Sequence, residues 1–238
     1  MFDRDEGPAR RPAGPGPAPD RPALEALLNA RVPAPPADLQ HALNHNQIAC
    51  KTWLLDALFG TLGGRFGTVS LLGGWYGVLG ALLPGDARFQ VDRVLSYDID
   101  PNCARVARGL NREHVATGRF EALTADVCEL DYTGLNGSSD GRAQGAAGNG
   151  AAGDGTQGAD LVINTSCEHM APTSAWYDGV PPGTLQVHQS NDYFDCPEHV
   201  NCVADLEAFK ADLPMGEVLY QGSMARKRYT RFMLIGRK

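Results

Sequence analysis

Alternating strand and helix patterns predict an α/β fold for the 238-residue chain: a mostly parallel sheet of seven strands. Three features carry this expectation. Short apolar runs alternate with helical patterns from about residue 67 onward. The first run turns through Gly73-Gly74-Trp75-Tyr76-Gly77, and the second ends in the acids of Tyr97-Asp98-Ile99-Asp100-Pro101.

Residues 1–37 are rich in Pro, Ala, Gly and Arg, cannot bury enough apolar surface to order firmly, and read as a tail with a short helix at 22–30. Asp38 offers an N-cap for a helical segment over 38–66. There Leu39, Leu43, Ala49, Trp53, Leu54, Ala57 and Leu58 recur at helical spacing up to Gly60, with a break expected near 44–47. A strand at 68–72, the glycine turn at 73–77 and a short helix at 78–83, ended by Pro84 and Gly85, follow. After a strand at 91–97, Pro101 opens a helix to about Ala116, because the first helical position has no hydrogen bond for proline to lose. Strands at 120–125, 159–164 and 184–189, a helix at 203–213, and strands at 217–221 and 229–235 complete the pattern. Residues 133–158, built of Gly, Ala, Ser, Asn, Asp and Gln without periodicity, read as a flexible insertion in the domain at 67–238.

Composition narrows the function classes. A formal net charge of −7 and no basic run disfavour nucleic acid and favour a small-molecule substrate. No apolar stretch is long enough to span a membrane, and the N-terminus has no apolar core like that of an export signal. Six scattered cysteines suit a reducing cytoplasm, so a cytoplasmic protein without a membrane partner is expected. The oligomeric state is not legible.

The chemistry gathers at strand ends. Gly73, Gly74 and Gly77 let backbone N–H groups approach a ligand closely where the first strand turns into a helix. About twenty residues on, Asp98 is placed to accept two hydrogen bonds from a ribose diol, with Ile99 beside it, while Asp100 is expected to cap the helix at Pro101. Asn164-Thr165-Ser166-Cys167-Glu168-His169 follows the fourth strand at the carboxyl edge of the sheet, where ligands of open α/β folds bind. Asn164 is a candidate ligand contact, and His169 with Glu168 a candidate general base. Tyr193, after the fifth strand, is a further candidate, with Ser190, Asn191 and Asp192 on the same edge and Trp176 and Tyr177 as walls. Cys196-Pro197-Glu198-His199-Val200-Asn201-Cys202 lacks a second ligand pair at familiar zinc spacing, so no metal is expected. His41 and His45 share a helical face without a third ligand.

These motifs resemble the class I S-adenosylmethionine-dependent methyltransferases. Residues 73–77 look like a variant of that family's glycine-rich first motif, residues 97–101 like its second, Thr124-Ala125-Asp126-Val127 like its adenine-contacting turn, and residues 160–164 like its fourth strand. The resemblance, over about 68–238, implies a Rossmann-like fold whose two closing strands form an antiparallel C-terminal hairpin, and S-adenosylmethionine as methyl donor or as substrate. It assigns the ribose to Asp98, the adenine to Asp126 and Val127, and the methionine end to Gly73 and Gly74. Bulky Trp75 and Tyr76 stand where the family carries small residues. Either they pack under the N-terminal helix, or an aromatic face lies against the sulfonium through cation–π attraction, which makes Tyr76 a catalytic candidate.

Three functions follow from this reading. The first is methyl transfer to a small-molecule acceptor in a biosynthetic pathway. The second resembles the azetidine-2-carboxylate synthases: the amine of S-adenosylmethionine attacks its own γ-carbon, closing a four-membered ring and releasing methylthioadenosine. The third is a non-catalytic nucleoside-binding partner protein.

Overall fold

The computed structural model describes residues 39–132 and 160–238. The expected N-terminal tail, its short helix and the insertion at 133–158 lie outside the described residues.

The N-terminal segment forms two helices, α1 (Leu39–Ala42) and α2 (His45–Leu62). Asn44 divides them: its backbone is extended, and its side-chain oxygen accepts from the Gln47 N–H, satisfying one of the donors a helix start leaves free. Helix α2 runs through Gly60 and stops at Gly63, whose φ of 78° few other residues adopt.

Strands β1 (Arg65–Leu72), β2 (Gln90–Asp98), β3 (Phe120–Thr124), β4 (Leu161–Asn164), β5 (Leu185–Asn191), β6 (Glu217–Ala225) and β7 (Thr230–Arg237) form one sheet in the order β3-β2-β1-β4-β5-β7-β6. The first five pair in parallel; β7 is antiparallel to both β5 and β6. The expected mostly parallel sheet with a closing hairpin is present. Strand β5 extends beyond its predicted end, so Ser190 and Asn191 are strand residues and fully covered.

Between β1 and β2 lies α3 (Val78–Gly85), and between β2 and β3 lie α4 (Pro101–Leu110) and α5 (Arg112–Ala116). Two predicted helix ends move within this stretch. Pro84 sits inside the last turn of α3, where the Asp86 N–H to Leu82 carbonyl bond still closes the end. The single helix predicted from Pro101 to Ala116 breaks at buried Asn111, whose side-chain N–H groups donate to the Ala107 carbonyl (2.9 Å) and the Gly77 carbonyl (3.1 Å). The asparagine ends the helix and ties it to the glycine turn. Helices α6 (Ser174–Tyr177) and α7 (Leu206–Asp212) complete the chain, the latter capped by Asp205 and shorter than predicted.

Side chains alternate across the sheet, as the pleat requires. Leu161 and Ile163 of β4 enter one apolar layer with Leu54, Leu58, Leu83 and Leu110 from α2, α3 and α4. Val162 between them enters the other, with Trp176, Tyr177 and Phe209. Buried on both faces, β4 has no polar side until Asn164.

The chain winds outward from β1 through β2 to β3, then returns to β4 on the opposite side of β1. At that reversal the loops after β1 and β4 diverge and leave a crevice beyond their carboxyl ends. No helix among the described residues is long and apolar enough to cross a membrane.

Candidate functional site

A cavity of about 790 Å³ occupies this crevice, within the roughly 300–1,000 Å³ range of small-molecule sites. Gly73, Gly74, Trp75, Tyr76, Asp98, Ile99, Asp126, Val127, Glu168 and His169 line it. The sequence assigned each of these to the site.

The first two strand ends are locked together. The Gly74 N–H donates to the Tyr97 carbonyl (2.8 Å) and the Trp75 N–H to Asp98 Oδ2 (2.8 Å). Asp98 Oδ1 accepts the Asp100 N–H at 3.1 Å, and Asp100 in turn caps α4 through the Asn102 N–H. An ionised carboxylate has about four acceptor positions, so Asp98 retains capacity toward the cavity. The close approach depends on glycine: a Cβ on Gly74 would sit 2.0 Å from Ser96 Oγ, and one on Gly73, at φ 63°, would sit 2.6 Å from Met170 Cε. Trp75 also has positive φ, 48°, and its ring stacks on Tyr76 with centroids 5.0 Å apart.

On one side, Ile99 stands 68% exposed as an apolar surface beside Asp98. Asp126 turns back on itself by accepting the Cys128 N–H, and the Tyr132 hydroxyl donates to the Val127 carbonyl at 2.7 Å. These bonds hold the turn after β3 at the cavity wall.

The loop after β4 forms the other side. Asn164 does not line the cavity: it is fully buried, its oxygen accepts the Ser166 N–H, and its amide N–H meets Met170 Sδ at 3.2 Å. The predicted ligand contact is therefore a loop brace. Glu168 is not paired with His169 as a base. It is buried, and its Oε1 accepts from Arg231 Nη1 and from Asn191 Nδ2 (2.8 Å). Arg231 also donates to the Thr165 carbonyl, so β7 clamps the β4 loop through one guanidinium. Burial is the largest influence and opposes the Arg231 charge, but Glu168, Cys50 and Tyr229 together hold the guanidinium pKa above its ordinary value.

Tyr193 lies outside the cavity lining, stacked on Tyr229 with centroids 5.9 Å apart. Trp176 and Tyr177 are core residues of the second layer rather than pocket walls. His41 reaches the cavity from α1, whereas His45 begins α2, so they do not share one helix.

Two residues missed by the sequence reading bring positive charge. Lys51 of α2 is buried against the cavity, donates to Gln47 Oε1 at 2.8 Å, and has its pKa lowered to about 8 by burial and then by Arg231. Arg231 was legible as a lone charge within the apolar run of β7. Lys51 carried a weaker signal, since an amphipathic helix commonly carries solvated lysines.

No protein-family model matches the chain, and no curated protein matches it by sequence. Solved structures do. N-methyltransferase NodS from Bradyrhizobium japonicum WM9, in complex with S-adenosyl-L-homocysteine, aligns over 91% of this chain and 97% of its own, with a TM-score of 0.57 at 11% identity. The [4+2]-cyclase SpnF aligns over 81% of this chain and 82% of its own, with a TM-score of 0.54 at 13% identity. The chain has the class I methyltransferase-like Rossmann fold.

Proposed function

We propose that the chain is an S-adenosylmethionine-dependent enzyme that transfers a methyl group to a small-molecule acceptor. The observation that carries this reading is the Asp98 carboxylate, fixed against the glycine turn by the Trp75 N–H and open to a cavity of about 790 Å³. Fold does not fix reaction, and similar folds include a methyltransferase and a cyclase, so the residues of the site must distinguish the reactions.

The cavity fits the cofactor. Gly73 and Gly74 leave backbone where a side chain would collide, which suits the close approach of an aminocarboxypropyl chain. Asp98 offers acceptors to a ribose diol, exposed Ile99 offers an apolar face to adenine, and Asp126 and Val127 edge the same wall. Bound there, the cofactor would supply an electrophilic methyl group already activated by its sulfonium. The protein's task is then to orient the acceptor and remove its proton where the acceptor carries one.

Lys51 and His169 are the cavity residues suited to that proton. Lys51, at about 8, is neutral in a substantial fraction of molecules near physiological pH, and the imidazole of His169 reaches the cavity. Glu168, bound by Arg231, instead holds the loop. Arg231 is neutralised by Glu168, so it is protonated Lys51 that makes this end of the cavity attractive to an anionic acceptor.

Cyclisation of S-adenosylmethionine to azetidine-2-carboxylate is the competing reading, supported by the stacked Trp75 and Tyr76 rings in the cavity lining. The two separate cleanly. Incubation with S-adenosylmethionine alone, followed by mass spectrometry, should give no turnover, and S-adenosylhomocysteine should appear only when an acceptor from a panel of small carboxylates is added. Methylthioadenosine with a cyclic amino acid in the acceptor-free reaction would overturn methyl transfer. Tight binding with neither product across the panel would favour a non-catalytic binding protein.

A further inference from the structure

We propose that Glu168, His169 and His199 form a binding site for one divalent first-row transition-metal ion at the edge of the cavity. One ligating atom from each of these residues can be chosen so that the three lie within 4.8 Å of one another. Donors about 2.0–2.2 Å from a shared metal stand about 3–3.5 Å apart, so small side-chain rotations bring this set to bonding distance.

Two further observations point to a cation. The first is the state of the imidazoles. His169 Nδ1 lies 2.9 Å from the Glu198 carbonyl, and His199 Nδ1 lies 3.1 Å from the Tyr193 carbonyl. A carbonyl only accepts, so each Nδ1 carries a proton, and in the neutral ring each Nε2 presents its lone pair. This is the orientation that a carbonyl behind the ring imposes on ligating histidines. The two rings meet edge to face with centroids 4.6 Å apart.

The second is a stranded oxygen. Glu168 is 3% exposed; Oε1 takes both Arg231 and Asn191, while Oε2 is buried with no partner among the described residues. Leaving a buried carboxylate oxygen undonated is costly, and a cation held between it and two imidazoles removes that cost.

Two imidazoles and one carboxylate suit a borderline ion such as Zn(II), Fe(II) or Co(II) over Mg(II) or Ca(II), which prefer all-oxygen sites. Three protein ligands leave coordination positions open, and Glu168 and His169 line the cavity, so a substrate donor can complete the shell. Because Arg231 already offsets the Glu168 charge, a bound dication retains excess positive charge. The site therefore favours an anionic donor such as a carboxylate or phenolate. Within the Cys196 to Cys202 segment it is His199, and neither cysteine, that joins Glu168 and His169 in this group. The site does not depend on the choice of cofactor, but a metal-bound His169 has no lone pair left for the acceptor's proton, which then falls to Lys51.

The test uses the full, untagged chain, stripped with chelator and titrated with Co(II) alone. One equivalent should bind with visible d–d absorption that Zn(II) abolishes. His169→Gln and His199→Gln should each weaken binding at least 100-fold at unchanged melting temperature of the metal-free protein. Cys196→Ser and Cys202→Ser should keep the spectrum. No stoichiometric d–d absorption, its survival in the double histidine variant, or its loss in either serine variant would overturn the site. Glu168→Gln is a weaker probe because it unpairs Arg231, so the histidine variants decide.

Discussion

The Trp75 backbone N–H and the Asp98 carboxylate meet at 2.8 Å, joining the turn after β1 to the end of β2 across the base of the cavity. Asp98 thus has two tasks, one toward the turn and one toward the ligand. Asp98→Ala should lower affinity for S-adenosylhomocysteine about 100-fold or more by calorimetry, since charge-assisted hydrogen bonds contribute about 1.5–3 kcal/mol each. Asp98→Asn retains one acceptor oxygen and should lose less. Unchanged affinity in the alanine variant would remove Asp98 from the ribose.

Gly74 packs on Ser96 without room for a methyl group. Gly74→Ala should cost about 1–3 kcal/mol in denaturant unfolding and reduce ligand affinity. The nearest obstruction is the serine hydroxyl, so Ser96→Ala in the same chain should recover much of the loss. A double-mutant cycle with no coupling would show that the backbone, not Ser96, sets the constraint.

Lys51 is buried and its pKa is lowered to about 8, chiefly by burial. The unfolded chain binds this proton up to about pH 10.4, so between roughly pH 8 and 10.4 unfolding takes up a proton and the Lys51 contribution to stability improves as pH rises. Below about pH 8 it is fully destabilising. Lys51→Met should therefore raise stability at pH 7 by up to about 3 kcal/mol and flatten the alkaline part of the profile, while lowering turnover if Lys51 moves the acceptor's proton. Denaturant midpoints from pH 6 to 10 read the first effect and pH–rate profiles the second.

His188 is fully buried between Trp176 and Tyr177, with Nε2 bonded to Gln186 Oε1, and burial lowers its pKa to about 3. The native state stays neutral there while the unfolded chain takes up a proton below about pH 6.5, so stability falls from that pH down to about 3. The slope from this residue approaches about 1.4 kcal/mol per pH unit. His188→Gln should shift the acid unfolding midpoint downward relative to its own neutral-pH stability; an unchanged profile would mean that His188 does not govern acid unfolding.

The Glu168–Arg231 pair is buried on both sides. Arg231→Met alone leaves the carboxylate uncompensated and should cost about 3–5 kcal/mol, whereas the double variant Glu168→Gln with Arg231→Met should recover part of it. Thermal unfolding of these two variants and of Glu168→Gln alone, against the parent, measures the coupling.

The layered sheet and its glycine turn were legible because strand alternation, Pro101 and Gly73 act locally. The finer boundaries were not. Asn111 breaks a helix through a bond to Gly77, thirty-four positions earlier, and nothing near it in sequence announces that partner. Glu168 and His169 line the cavity, yet their partners are Arg231 and His199, which arrive from distant segments. Asn164 and Tyr193 sit next to the cavity in sequence but turn away from it, one into the core and one onto Tyr229. Period and punctuation reveal which edge of the sheet carries chemistry; which side chains face it is decided by pairing across the fold.

The clamp from Arg231 to Glu168 also sets an order of assembly during synthesis. Among the described strands β7 leaves the ribosome last, yet it is inserted between β5 and β6, and β6 pairs with β7 alone. Until β7 emerges, the nascent chain presents an open β5 edge, an unpartnered β6 and a buried-type carboxylate with no guanidinium. Ribosome-stalled chains ending before Arg231 should be protease-sensitive throughout the β4 loop, although they already carry the whole glycine turn.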